Sequence, residues 1–129
     1  VVAETADIYD LEKGHEAFQD VVNAGDLEAV VSAYEADAIF VVNPGQIAIG
    51  RDEIRKAFAG LMELKPTLEL KVKSLHQVGD IALAIYELSL EGKDPEGNSV
   101  NLEGHAAVVL RRQPDGRWLL VIDNASPFE

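Results

Sequence analysis

Two of the three histidines are placed where they can move a proton. Imidazole titrates near ~6.5, so it can give or take a proton at neutral pH. His15 interrupts an apolar stripe formed by Ile8, Leu11, Phe18 and Val22, at the three- and four-residue spacing of one helix face. Such a histidine either bonds a backbone carbonyl or lines a pocket between helix and sheet. His105 alternates with Glu103 on one strand face, which turns apolar at Ala107. It can pair with Glu87 across strands if the register allows. His15 and His105 are therefore the candidate general acid or base. A lone imidazole supplies little without an oriented oxygen partner. Tyr9, Asn43 and Asn124 are the side chains expected to orient or polarise a substrate oxygen. Tyr34 and Asp123 join them as expected ligand contacts. The chemistry in view is proton transfer or addition–elimination on a small carbonyl-type compound.

Several other chemistries lack their residues. The chain has no cysteine, which excludes disulfides, thiolate nucleophiles and Cys-based metal sites. Asn43, His105, Asp123 and Asn124 form no metal signature, and neither a metal nor an organic cofactor is expected. There is no Gly-rich phosphate loop, no GxSxG and no HExxH. The net charge of -12 should repel nucleic acid and anionic lipid. No apolar run reaches the ~20 residues of a membrane span. A cytoplasmic location is the expectation. The first residue is Val1, as in a processed or trimmed product.

The elements that must position these side chains fit one domain, residues 1–129. Helices are predicted over 5–23, 26–35 and 51–63, with Thr5 and Asp26 as caps and Gly25 ending the first helix. Strands are predicted near 38–42, 47–49, 67–78, 81–92, 99–112 and 116–124. Asn43-Pro44-Gly45 makes a turn, and 94–98 a hairpin loop. The alternation Leu68, Leu70, Val72 loses phase at Leu75, which predicts a bulge near Ser74. The expected core holds Ile8, Leu11, Phe18, Leu27, Val30, Phe40, Ile54, Phe58, Leu83, Val108 and Trp118. A sheet this apolar has a second face to cover, with Leu75, Tyr86, Leu88 and Leu90 as candidates for that contact.

NAGDLEAVVSAYEADAIFVVNPG at 23–45, GRDEIRKAF at 50–58 and DGRWLLVIDNAS at 115–126, in this order and spacing, resemble the nuclear-transport-factor-2-like superfamily. Within it the chain is similar to the SnoaL-like branch, including DUF4440-type proteins related to ketosteroid isomerase. The resemblance implies an α+β, cystatin-like cone: three N-terminal helices packed in a strongly curved mixed β-sheet, commonly as a homodimer formed through the sheets. Steroid isomerases of this superfamily place a catalytic Asp just before the turn after the first strand, where this chain has Asn43. Their oxyanion hole pairs a helix-one Tyr, whose place Tyr9 is expected to approach, with a protonated Asp on a late strand. Ala106-Ala107-Val108 offers no such acid. Where related small proteins carry a histidine-rich ending, this chain has Ile122-Asp123-Asn124.

The resemblance and the residues together point to a small, mostly apolar organic ligand held in the cone. The rival is a non-catalytic dimeric structural or protein-interaction domain whose cone is filled by its own side chains. Cavity volume separates the two, since ligand pockets run to ~300–1,000 Å³.

Overall fold

A computed structural model describes residues 7–125. The elements in order are α1 (Gly14–Ala24), α2 (Leu27–Ser32), β1 (Tyr34–Asn43), β2 (Gln46–Ile49), α3 (Gly50–Met62), β3 (Thr67–Val78), β4 (Ile81–Lys93), β5 (Ser99–Arg112) and β6 (Trp118–Asn124). The strands form one mixed sheet in the order β2-β1-β6-β5-β4-β3. Only β1 with β6 runs parallel, because only that pair is joined by a long connection through the rest of the sheet.

The expected strongly curved cone is not what forms. The α+β class, the mixed sheet and the three helices stand, but the sheet is neither strongly curved nor closed. Its six strands lie in one open row, with β2 and β3 as separate edges. The four-residue β2 is too short to close against β3. The helices cover one face instead, α1 against β3 and α3 against β1 and β2.

The first helix begins at Gly14 rather than near residue 5. Two aspartates capture the backbone ahead of it. Tyr9 N–H donates to Asp7 Oδ1, and the N–H groups of Glu12 and Lys13 donate to Asp10 Oδ2 at 3.1 and 2.7 Å. Such local bonds compete with helical ones. Thr5, the expected cap, lies outside the described residues. Asp26 does cap α2, accepting from Ala29 N–H at 3.2 Å.

Helix α2 stops at Ser32, so Tyr34 opens β1 instead of ending a helix. The backbone there is claimed from two sides. Leu120 N–H donates to the Ala33 carbonyl at 2.8 Å. The Arg51 guanidinium donates to the Tyr34 carbonyl through Nε at 2.9 Å and Nη2 at 2.6 Å. Between Tyr34 and Ile39 the parallel register with β6 shifts, so β1 bulges while Tyr34 stays anchored. The phase slip read near Ser74 is present as a register shift between Val72 and Ser74.

The main core lies between helices and sheet. Tyr34, Ile54, Val22 and Val30 are its largest fully buried side chains. Phe40 stacks on Phe58 at 4.9 Å, and Phe18 meets both Phe58 and Tyr34 edge-on. Val108 and Trp118 are buried as expected, whereas Ile8, Leu11, Phe18 and Leu27 are only half-buried. Leu83 is 43% exposed, because it points away from the helices. Tyr86, Leu88 and Leu90 face inward, which removes them as cover for the second face, and Leu75 packs on the inner cluster. The apolar outer face is built instead from a row of partners across five strands: Ile49, Ile39, Ile122, Val109 and Leu83.

Candidate functional site: a buried carboxyl at an apolar cavity

The helices and the inner face of the sheet enclose a cavity of about 480 Å³. Its walls are largely Leu, Phe and Val, and β5 contributes Gly104 and Ala106, whose small size leaves the space open. Among the described residues Asp123, on β6, is the one charged side chain in the wall that is buried, at 8% exposure. Its Oδ2 accepts a 2.6 Å hydrogen bond from the Tyr34 hydroxyl. Burial pushes the Asp123 carboxyl up from its ordinary 3.8 to about 6, although the Tyr34 bond pulls the other way. Burial and then the Asp123 charge hold the Tyr34 hydroxyl well above its ordinary value. The same two causes raise Tyr86, also in the wall, to about 12. Both phenols therefore stay protonated and can donate throughout the physiological range.

His15 projects from α1 into the same space. Its ring lies 5.4 Å from the Tyr86 ring, tilted by 36°. Its Nδ1 is buried with no hydrogen-bond partner among the described residues. Such an atom costs stability unless a ligand or water meets it. Among the described residues no Lys or Arg lines the cavity, while Asp10, Glu103 and Asp123 do.

The remaining sequence-derived residues scatter. His105 is exposed at the cavity mouth beside Glu103 and stands in register with Glu87. Asn43 also lines the cavity, and its amide donates to Gln46 Oε1 at 2.7 Å. Tyr34 reaches the site through Asp123. Tyr9 lies away from the cavity wall: its hydroxyl donates to Ser32 Oγ at 3.0 Å and Arg117 sits 4.9 Å over its ring. Asn124 lies on the outer side, in register with Ala107 and Val41. Tyr86, read from the sequence only as a candidate for covering the second face, is the polar wall residue that reading missed. Its signal was the inward alternation of Ala82, Ala84 and Tyr86.

With Tyr34 holding one oxygen, Asp123 can present the other to a ligand. Above pH ~6 it can accept a proton from a carbon acid, while Tyr86 and His15 can donate to the oxygen that gains charge. Among the described residues no group of three or more His, Cys, Asp or Glu is placed to hold a metal ion. No helix among them is long and apolar enough to cross a membrane.

The SnoaL-like domain matches residues 15–121, and the chain belongs to that family, within the fold shared with ketosteroid isomerase. A ketosteroid isomerase-like protein from Erwinia carotovora atroseptica superposes with TM-score 0.79 at 20% identity, over 92% of this chain and 94% of its own. A proposed calcium/calmodulin-dependent protein kinase II association domain from Xanthomonas campestris gives 0.80 at 16% identity, over 97% and 91%. A proposed dehydratase of the NTF2-like family from Streptomyces avermitilis gives 0.71 at 24% identity, over 89% and 92%. At these identities the likeness establishes the fold alone. No curated protein matches the chain.

Proposed function

We propose that this chain binds a small, mostly apolar organic molecule in the cavity and moves a proton on it, in an isomerase- or hydratase-type reaction. The observation that carries this is Asp123: a carboxyl 8% exposed, fixed through one oxygen, facing about 480 Å³ of largely apolar space. That volume lies within the range of small-molecule pockets and speaks against an interior filled by its own side chains. Asp123 takes the part of general base that His15 and His105 were first given. His15 joins Tyr86 as a donor to the substrate oxygen, and His105 and Asn43 line the same cavity.

The test is deuterium exchange at the α-carbon of a neutral apolar ketone, 2-tetralone, followed by proton NMR in heavy water. Wild-type protein should accelerate exchange above buffer, and Asp123→Asn should lose that acceleration while still binding the ketone. Exchange no faster than buffer, or unchanged in Asp123→Asn, defeats the proposal.

The outer row from Ile49 to Leu83 supports a homodimer formed through the sheets. Ile49 is 58%, Leu83 43% and Ile122 39% exposed, and twofold pairing is the usual way such a face is covered. Sedimentation at micromolar concentration should give twice the chain mass; a single-chain mass removes the dimer. The net charge of -12 favours a partner other than nucleic acid.

A further inference from the structure

We propose that the cavity selects its ligand by charge, taking an apolar body that carries a protonated amine in preference to its uncharged or anionic counterparts. The inference rests on the proposed function only in taking this cavity as the ligand site and Asp123 as the group that meets the ligand.

Three observations carry it. Asp123 is 92% removed from solvent by its 8% exposure, and the only hydrogen bond to its carboxyl among the described residues comes from the neutral Tyr34 hydroxyl. Among the described residues no Lys or Arg lies in the cavity wall, so the Asp123 charge has no permanently cationic partner there. Asp10 and Glu103 add acid near the mouth, so any charged group entering meets one sign of field. A carboxylate held in this way costs free energy that folding has already spent. An ammonium placed against it recovers part of that cost through a charge-assisted hydrogen bond. A ligand carboxylate or phosphate would meet repulsion with no donor of positive charge to offset it. The apolar wall still requires a hydrocarbon or aromatic body behind the amine. The neighbouring Tyr86 and His15 rings suit such a body, with their centroids 5.4 Å apart.

The experiment is isothermal titration calorimetry at pH 7.5 with three probes of one shape: 2-naphthylmethylamine, 2-naphthalenemethanol and 2-naphthoate. The amine should bind about tenfold or more tightly than the alcohol, and the naphthoate most weakly. Asp123→Asn should abolish the advantage of the amine over the alcohol. Its fold can be verified by circular dichroism. Raising the salt to about 0.5 M screens the surface field but not a buried pair, so the preference should survive. Carbon-13 NMR of the Asp123 carboxyl gives an independent reading, since a bound ammonium should lower its titration midpoint. An amine preference that persists in Asp123→Asn, or that vanishes at high salt, overturns the charge selection and leaves the cavity reading standing. So does equal binding of all three probes. Binding of none of the three overturns both.

Discussion

Replacing Asp123 by Asn should make the protein more stable at neutral pH, although it removes the residue proposed to act on the ligand. Asp123 titrates at about 6 in the folded protein against an ordinary 3.8, because burial disfavours its charge. Between those two pH values the folded chain keeps a proton that the unfolded chain has released. Stability from this group is therefore complete below about pH 3.8 and is lost as pH rises through about 6. The loss amounts to about 3 kcal/mol once the carboxyl is ionised. An amide at position 123 keeps an oxygen to accept from the Tyr34 hydroxyl and never ionises. Its amino group must still find a partner on the cavity side, which takes back part of the gain. The expected net effect at pH 8 is a stabilisation of about 1–3 kcal/mol. At pH 4 wild type and variant should differ by much less, since both are then neutral at this position. Urea unfolding of the two proteins at pH 4 and pH 8, compared pairwise, isolates the Asp123 contribution from every other carboxyl. A variant destabilised equally at both pH values would refute the reasoning. It would mean that the charge is not buried at a cost.

Tyr34→Phe removes the one hydrogen bond that favours the ionised carboxyl, so Asp123 should titrate above 6, and carbon-13 NMR should show the move; an unchanged midpoint would dissociate the pair. Phe58→Ala should cost about 3–5 kcal/mol, because the ring is 4% exposed and stacked on Phe40, and an unaltered denaturant midpoint would contradict that packing. Arg51→Ala frees the Tyr34 carbonyl from two hydrogen bonds and should cost about 1–3 kcal/mol, measured as a fall in the unfolding midpoint. Ile122→Lys on the outer row should halve the sedimenting mass if the sheets pair; a dimer retained in that variant places the contact elsewhere.

The long strands were legible because they alternate cleanly, and even the bulge near Ser74 announced itself through Leu75. Sheet closure was not legible, since no local pattern states whether β2 and β3 meet. The first helix was overdrawn because the apolar stripe runs on through Leu11 and Ile8. The stripe does not reveal that Asp7 and Asp10 hold that backbone in turns. The site hinged on β6. From Leu120 inward, strict alternation puts Ile122 and Asn124 on the cavity side. A register shift between Val109 and Leu110 leaves Val121 without its own partner on β5 and turns Asp123 inward instead. One extra residue in a strand thus exchanged an amide for an acid at the site. Tyr34 reached it by a similar accident of register, at the start of a strand that read as the end of a helix.

The parallel pairing of β1 with β6 also bears on how the molecule comes to exist. β3, β4 and β5 are successive hairpin neighbours and can assemble from local contacts. The middle of the sheet cannot, because β1 must wait for the last strand to be made. Tyr34 and Asp123 are 89 positions apart in sequence. Their hydrogen bond can form only after β6 has left the ribosome. Closing so long a loop is entropically costly and slows folding relative to a locally connected chain of the same size. The apolar edges of β1 and β5 stay unpaired until then, and that interval is when the chain is most open to aggregation. The buried carboxyl and the structural seam of the sheet are completed in the same late step, so a chain that stops short of β6 lacks both.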